Sequence, residues 1–180
     1  MIKTLTAYAL ALPLMLAATA ACAAENLVLE IDKGGETKKV VIALKPEVAP
    51  KHVERVKKLA GEGFYNGVVF HRVIDGFMAQ SGDPTGTGTG GSKYPDLPAE
   101  FSEEGFKRGT VGAARTQDPN SANSQFFICF QDNSCPHLNG QYTVWGQVVE
   151  GMDAIDTIKS GAGPNGLVQN PDKIKKAYVQ

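Results

Sequence analysis

The sequence predicts a mainly β domain whose antiparallel sheet closes on itself. Three observations predict it. Short runs that alternate apolar and polar residues recur from Asn26 to the C terminus, turn signals separate them, and only two stretches change to helical period. Closure would leave no strand edge exposed. Neither an internal repeat nor a shift in composition marks a second domain, and 180 residues at 42% apolar content suffice for one core.

Residues 1–24 stand apart from the domain at 25–180. Lys3 precedes an apolar stretch from Leu5 to Ala18, and Ala20-Ala21-Cys22-Ala23-Ala24 supplies an Ala-x-Ala cleavage site, which is the pattern of a secretory signal peptide. Thr19 stands where a lipoprotein leader usually has leucine, which argues against lipidation at Cys22. The bacterial look of the leader makes the periplasm the expected location. Nothing later approaches the ~20 apolar residues of a membrane span, so no membrane partner is expected after cleavage. With 18 basic against 19 acidic residues, no field for nucleic acid or anionic lipid exists. A monomer is the default.

In chain order, Leu27, Leu29 and Ile31 alternate in a first strand, and Gly34-Gly35 turns into a second from Lys39 to Leu44. Pro50 to Gly63 is amphipathic at helical period, with Val53, Val56, Leu59 and Ala60 on one face. Val68 to Ile74 and Phe77 to Gln80 flank the Asp75-Gly76 turn as a β-hairpin. Alternation would set Phe70, Arg72 and Ile74 on one face, leaving a charge among apolar neighbours. Gly82 to Pro98 follows as a mobile surface loop. Its Gly86-Thr87-Gly88-Thr89-Gly90-Gly91 run matches a dinucleotide-site pattern, but Pro95 and Pro98 forbid the helix such a site needs. The glycines would instead let a peptide approach the backbone. Thr110 to Arg115, Gln125 to Phe130 and Thr143 to Val148 are further strands; Gly151 to Ser160 is a second helix, and Ile174, Ala177 and Val179 mark a last strand.

Cysteine spacing alone does not decide the state of Cys129 and Cys135. The export route permits a disulfide. Cys129 follows the apolar run Phe126-Phe127-Ile128 as a small core residue would, and Cys135 sits in a polar loop, so two free thiols are expected.

Phe70-His71-Arg72 with Gly76-Phe77-Met78, Gln80, Gly82 and Asp83 resembles the signature of the cyclophilin family of peptidyl-prolyl isomerases. Asn123-Ser124-Gln125-Phe126-Phe127-Ile128 is similar to its second core motif, and Leu138-Asn139-Gly140 with Val144-Trp145-Gly146 to a third. The resemblance covers essentially all of the chain after residue 25. It implies an eight-stranded barrel capped by two α-helices, activity on X-Pro bonds of peptides and unfolded exported proteins, and no cofactor. Among site residues it implies Arg72 as donor to the prolyl nitrogen, Gln80 orienting it, and His71 in support. Phe77, Met78, Phe127 and Leu138 would line a proline pocket, and Gln125, Ala114 and Arg115 would form the groove for residues before proline.

Two positions depart from the family pattern. His137 stands where a tryptophan is common, and Tyr142 where a histidine is common, both in the substrate-binding region. Weak cyclosporin binding is the consequence expected. A hydrolase built on Ser81 or Cys129 lacks a nucleophile elbow or triad context. His52, His71 and His137 have no ligand spacing, so no metal is expected. A non-catalytic module that binds proline-containing segments would use the same apolar lining; retention of Arg72 with Gln80 favours catalysis.

Overall fold

Eight strands form one antiparallel sheet in the computed structural model, which describes residues 25–180; the signal peptide expected at residues 1–24 lies outside the described residues. In chain order they are β1 (Asn26–Lys33), β2 (Glu36–Leu44), β3 (Arg72–Ile74), β4 (Met78–Ser81), β5 (Thr110–Ala113), β6 (Phe126–Cys129), β7 (Val144–Glu150) and β8 (Lys173–Val179). Helices α1 (Pro50–Gly61) and α2 (Met152–Asp156) accompany them, with a single 3-10 turn at Pro136–Leu138. Across the sheet the order is β3-β4-β6-β5-β7-β2-β1-β8. Register shifts at Glu30/Ile31, Val41/Ile42 and Val111/Gly112 increase the local twist and help curl it.

The curl stops short of the closed barrel expected from the sequence. β3 and β8 remain its two edges, so the architecture is an open half-barrel. An isolated Val69–Lys173 bridge and backbone hydrogen bonds from Phe70 N to Asp172 O (2.9 Å) and Ile174 N to Val68 O (2.8 Å) span the gap. The physical reason lies in β3, whose three residues cannot pair along the seven of β8.

That short strand also corrects the expected alternation. Pairing begins only at Arg72, and Phe70 is buried in the interior cluster with Val73 instead of lying beside the arginine. From Arg72 onward, period two holds and divides the sheet into two apolar layers. Val73, Ala79, Val111, Ala113, Phe126 and Ile128 face the interior with Tyr65 and Trp145, whereas Met78, Phe127 and Cys129 face a second cluster with Phe106, Leu138 and Val144. Phe126 meets Trp145 edge-on at 5.8 Å between centroids.

Helix α1 covers the interior with the stripe read from its sequence, Val53, Val56, Leu59 and Ala60, and adds His52. Pro50 at its first turn costs nothing because its missing N–H would be unpaired there. Glu100, distant in sequence, accepts the N–H groups of Lys51 (3.1 Å) and His52 (3.0 Å), placing a carboxylate at the positive end of the helix. Burial pushes the His52 imidazole below its ordinary pKa despite its 2.6 Å hydrogen bond to the same carboxylate.

Cys129 and Cys135 are joined as a disulfide, which overturns the expectation of two free thiols. The loop they bound folds back so that both side chains are wholly buried beside Met78 and Phe127, with their Cα atoms 6.4 Å apart. Cys135 is also the residue from which the Pro136–Leu138 turn starts. Closing so short a loop removes about 2 kcal/mol of unfolded-state entropy. The double variant Cys129→Ser/Cys135→Ser is therefore expected to lose about 2 kcal/mol in urea unfolding followed by Trp145 fluorescence; an unchanged midpoint would refute the contribution.

Candidate active site

Four strands bring one row of residues together on the outer face of the sheet. Arg72 of β3 is directly opposite Gln80 of β4, Gln80 is opposite Phe127 of β6, and Phe127 is opposite Gly112 of β5. Direct cross-strand partners on one face lie within side-chain reach, so the sheet register alone sets an arginine, an amide and an aromatic ring side by side. Gly112 ends the row for a steric reason. A Cβ there would stand 2.5 Å from Phe127 Cζ and 2.6 Å from Phe106 Cε1, so the missing side chain is what admits the stacked Phe106–Phe127 pair, 5.4 Å between centroids.

The row opens into a cavity of about 310 Å³, within the usual range for small-ligand sites. Met78, Phe127 and Leu138 are its buried apolar residues; Phe77, His137 and Tyr142 stand around them, with Arg72, Gln80, Ala114 and Arg115 completing the wall. Phe77 and His137 are 5.4 Å apart as tilted rings, and Tyr142 meets Phe127 edge-on at 5.9 Å. Arg115 packs over Tyr142 at 4.1 Å and donates to the carbonyls of Thr116 (2.8 Å) and Gln141 (2.8 Å), so it ties two loops together.

Arg72 is fixed at two nitrogens. Nε donates to Asn165 O (3.1 Å) and Nη1 to Gln80 Oε1 (3.0 Å), which leaves both Nη2 hydrogens and one on Nη1 free to donate among the described residues. Gln80 Nε2 donates to Gln125 Oε1 (2.9 Å), and Gln125 Nε2 donates in turn to the carbonyls of Gly88 (3.0 Å) and Gly90 (2.9 Å). Gln125 thereby lies in a second, adjoining cavity of about 470 Å³ whose wall includes Gly88 to Ser92, Asp96, Arg115 and Asn123.

Ten of the twelve residues singled out from sequence line the first cavity, and Gln125 lines the second. His71 lines neither. Its ring is buried behind the hairpin, 3.6 Å from the position a Cβ on Gly88 would take, and burial pushes its pKa down. Neither ring nitrogen has a hydrogen-bond partner among the described residues. Sequence reasoning missed Asn165, which only the fold carries to Arg72, and Asp83, which folds the glycine-rich loop around its carboxylate. The loop lines the second cavity, and its backbone donates hydrogen bonds to Asp83.

Fold and cavity together define a β-sheet domain with an apolar cavity whose wall carries a hydrogen-bonded arginine. The family model "Cyclophilin type peptidyl-prolyl cis-trans isomerase/CLD" matches residues 27–179, so the chain belongs to this family and is an isomerase of that class. A probable peptidyl-prolyl cis-trans isomerase of Brucella suis biovar 1 is 59% identical over 168 residues, covering 87% of this chain and 83% of that protein. Peptidyl-prolyl cis-trans isomerase B of Bacillus subtilis is 41% identical over 124 residues, covering 68% and 85%. A Cryptosporidium parvum cyclophilin-type isomerase crystallised in the presence of the dipeptide Ala-Pro has a TM-score of 0.75 at 27% identity, covering 86% of this chain and 98% of its own.

Because the Gly112 gap holds the aromatic pair, Gly112→Ala is expected to displace Phe127 and cost about 1–3 kcal/mol. Near-ultraviolet circular dichroism and urea unfolding check this; unaltered aromatic signals with full stability would show that the gap is not needed.

Proposed function

We propose that the 310 Å³ cavity grips the proline ring of a peptide or unfolded exported protein, while Arg72 lowers the barrier to rotation about the preceding bond. That barrier is about 18–20 kcal/mol because the amide C–N bond has partial double-bond character. As the bond twists, conjugation is lost and the prolyl nitrogen becomes a hydrogen-bond acceptor. A donor already fixed at that point stabilises the twisted state more than either planar one, and so raises the rate in both directions. Met78, Phe127 and Leu138 exclude water from the ring. Gln80 and Gln125, with Ala114 and Arg115, hold the backbone before proline. No proton moves and no covalent bond breaks, so His71 has no acid–base role.

The observation that carries this reading is the state of Arg72. Hydrogen bonds at Nε and Nη1 restrict its side chain, and Nη2 remains to donate at the mouth of an apolar cavity. The signal-peptide pattern in the sequence of residues 1–24 supports action on exported proteins in the periplasm.

Exchange in an Ala-Pro test peptide, followed by NMR without a coupled protease, tests the mechanism. Wild type should accelerate exchange, and Arg72→Ala should fall by roughly 100- to 1000-fold; an equally active variant would remove Arg72 from the mechanism. Cyclosporin inhibition should be weak, because His137 presents less apolar surface at the cavity than a tryptophan would. His137→Trp should tighten it by about tenfold or more, and titration of the isomerase rate distinguishes this from no change.

A further inference from the structure

The direction of the polar relay behind Arg72 is fixed at its far end, by a residue that lines neither cavity. Asp83 is wholly buried, and its carboxylate accepts hydrogen bonds from the N–H groups of Thr85 (2.8 Å), Gly88 (2.6 Å) and Gly90 (3.1 Å), and from the hydroxyls of Thr85 (2.8 Å) and Thr87 (3.5 Å). The loop is moulded to this carboxylate: a Cβ on Gly90 would lie 2.1 Å from Asp83 Oδ1. Burial opposes ionisation, but the donors from Thr85, Gly90 and Gly88 outweigh it and hold the carboxyl at about 2. The clamp is charged at neutral pH.

Gly88 and Gly90 offer their N–H groups to Asp83 and their carbonyls to Gln125. Two carbonyls accept only from the NH₂ end of the Gln125 amide, so its oxygen must turn to Gln80. Gln80 must then present its own NH₂ to that oxygen, which leaves the Gln80 oxygen for Arg72 Nη1. Reversing either amide would set donor against donor or acceptor against acceptor. Each amide therefore has one permitted orientation, and the glycine carbonyls choose it.

We propose that Asp83 is a positioning residue for Arg72: by folding the Gly88–Gly90 segment, it sets the polarity of the Gln125–Gln80 relay that holds the guanidinium in place. This rests on the reading of Arg72 as the donor to the prolyl nitrogen. Asparagine at position 83 would replace one acceptor oxygen by an NH₂ group facing N–H donors, releasing part of the loop while leaving the apolar cavity intact.

Asp83→Asn should lower kcat for the Ala-Pro test peptide by roughly 10- to 100-fold, the scale of a small misplacement of a catalytic group, with KM changed by less than about twofold. In an Arg72→Ala background it should add less than about twofold, because residues acting as one unit are not additive. The Arg72 Nε–H resonance in ¹⁵N NMR should shift or broaden. Equal losses in both backgrounds, or an unperturbed Arg72 resonance, would overturn the proposal. If Asp83→Asn does not fold, Thr85→Val removes one hydroxyl donor to the same carboxylate and is read by the same resonance and the same split between kcat and KM. Wild type without turnover would refute the reading of Arg72 as catalytic donor; the resonance would still decide whether Asp83 orders it.

Discussion

Everything at the site depends on one row of cross-strand neighbours, Arg72, Gln80, Phe127 and Gly112, on adjacent strands β3, β4, β6 and β5. Backbone ladders are stiff, and a one-residue slip would send these side chains to the opposite face. The register therefore decides whether an arginine stands beside an aromatic floor or within the hydrophobic interior. Glycine at the end of the row is as necessary as the charge at its start, because the Phe106–Phe127 stack occupies the volume that a side chain at 112 would need.

A second consequence of the same alternation is that the sheet carries two apolar layers with different tasks. The interior layer, centred on Trp145, Phe126 and Tyr65, supplies bulk stability; each fully buried large side chain contributes about 1.5–3 kcal/mol. The outer layer is smaller and is anchored otherwise, by the Cys129–Cys135 bridge at one end and by the polar relay from Arg72 to the glycine loop at the other. A cavity open to solvent cannot be filled by packing, so its walls are held from behind. This gives the bridge a role beyond entropy: it fixes the start of the turn that carries His137 and Leu138.

Much of the site was legible because strand period and motif order agree. Met78 and Gln80 share a face by alternation alone, and Arg72, Phe77, Met78, Gln80, Phe127 and Leu138 of the first cavity fall within three ordered motifs. The failures have separate causes. Strict alternation places Phe70 on the face of Arg72 only if the run pairs beyond the three residues that do, and closure of the sheet was expected because it would leave no edge exposed. The disulfide escaped because the path of the loop from Phe130 to Ser134 has no periodicity to read. Asp83 is part of the first motif but carries no role that can be read there; its burial depends on where Gly88 and Gly90 return, which spacing does not encode.

The sequence by itself determined the strands, the two helices, the family and the chemical types of the residues at the cavity, because these follow from local period and from side chains in a recognisable order. Tertiary structure decided that the half-barrel stays open, that Asn165 reaches Arg72 from the other end of the chain, that His71 turns away from the cavity, and that two amides point one way only. Those outcomes are set by contacts between segments far apart in sequence, and hydrogen-bond direction exists only once donor and acceptor have been brought within reach.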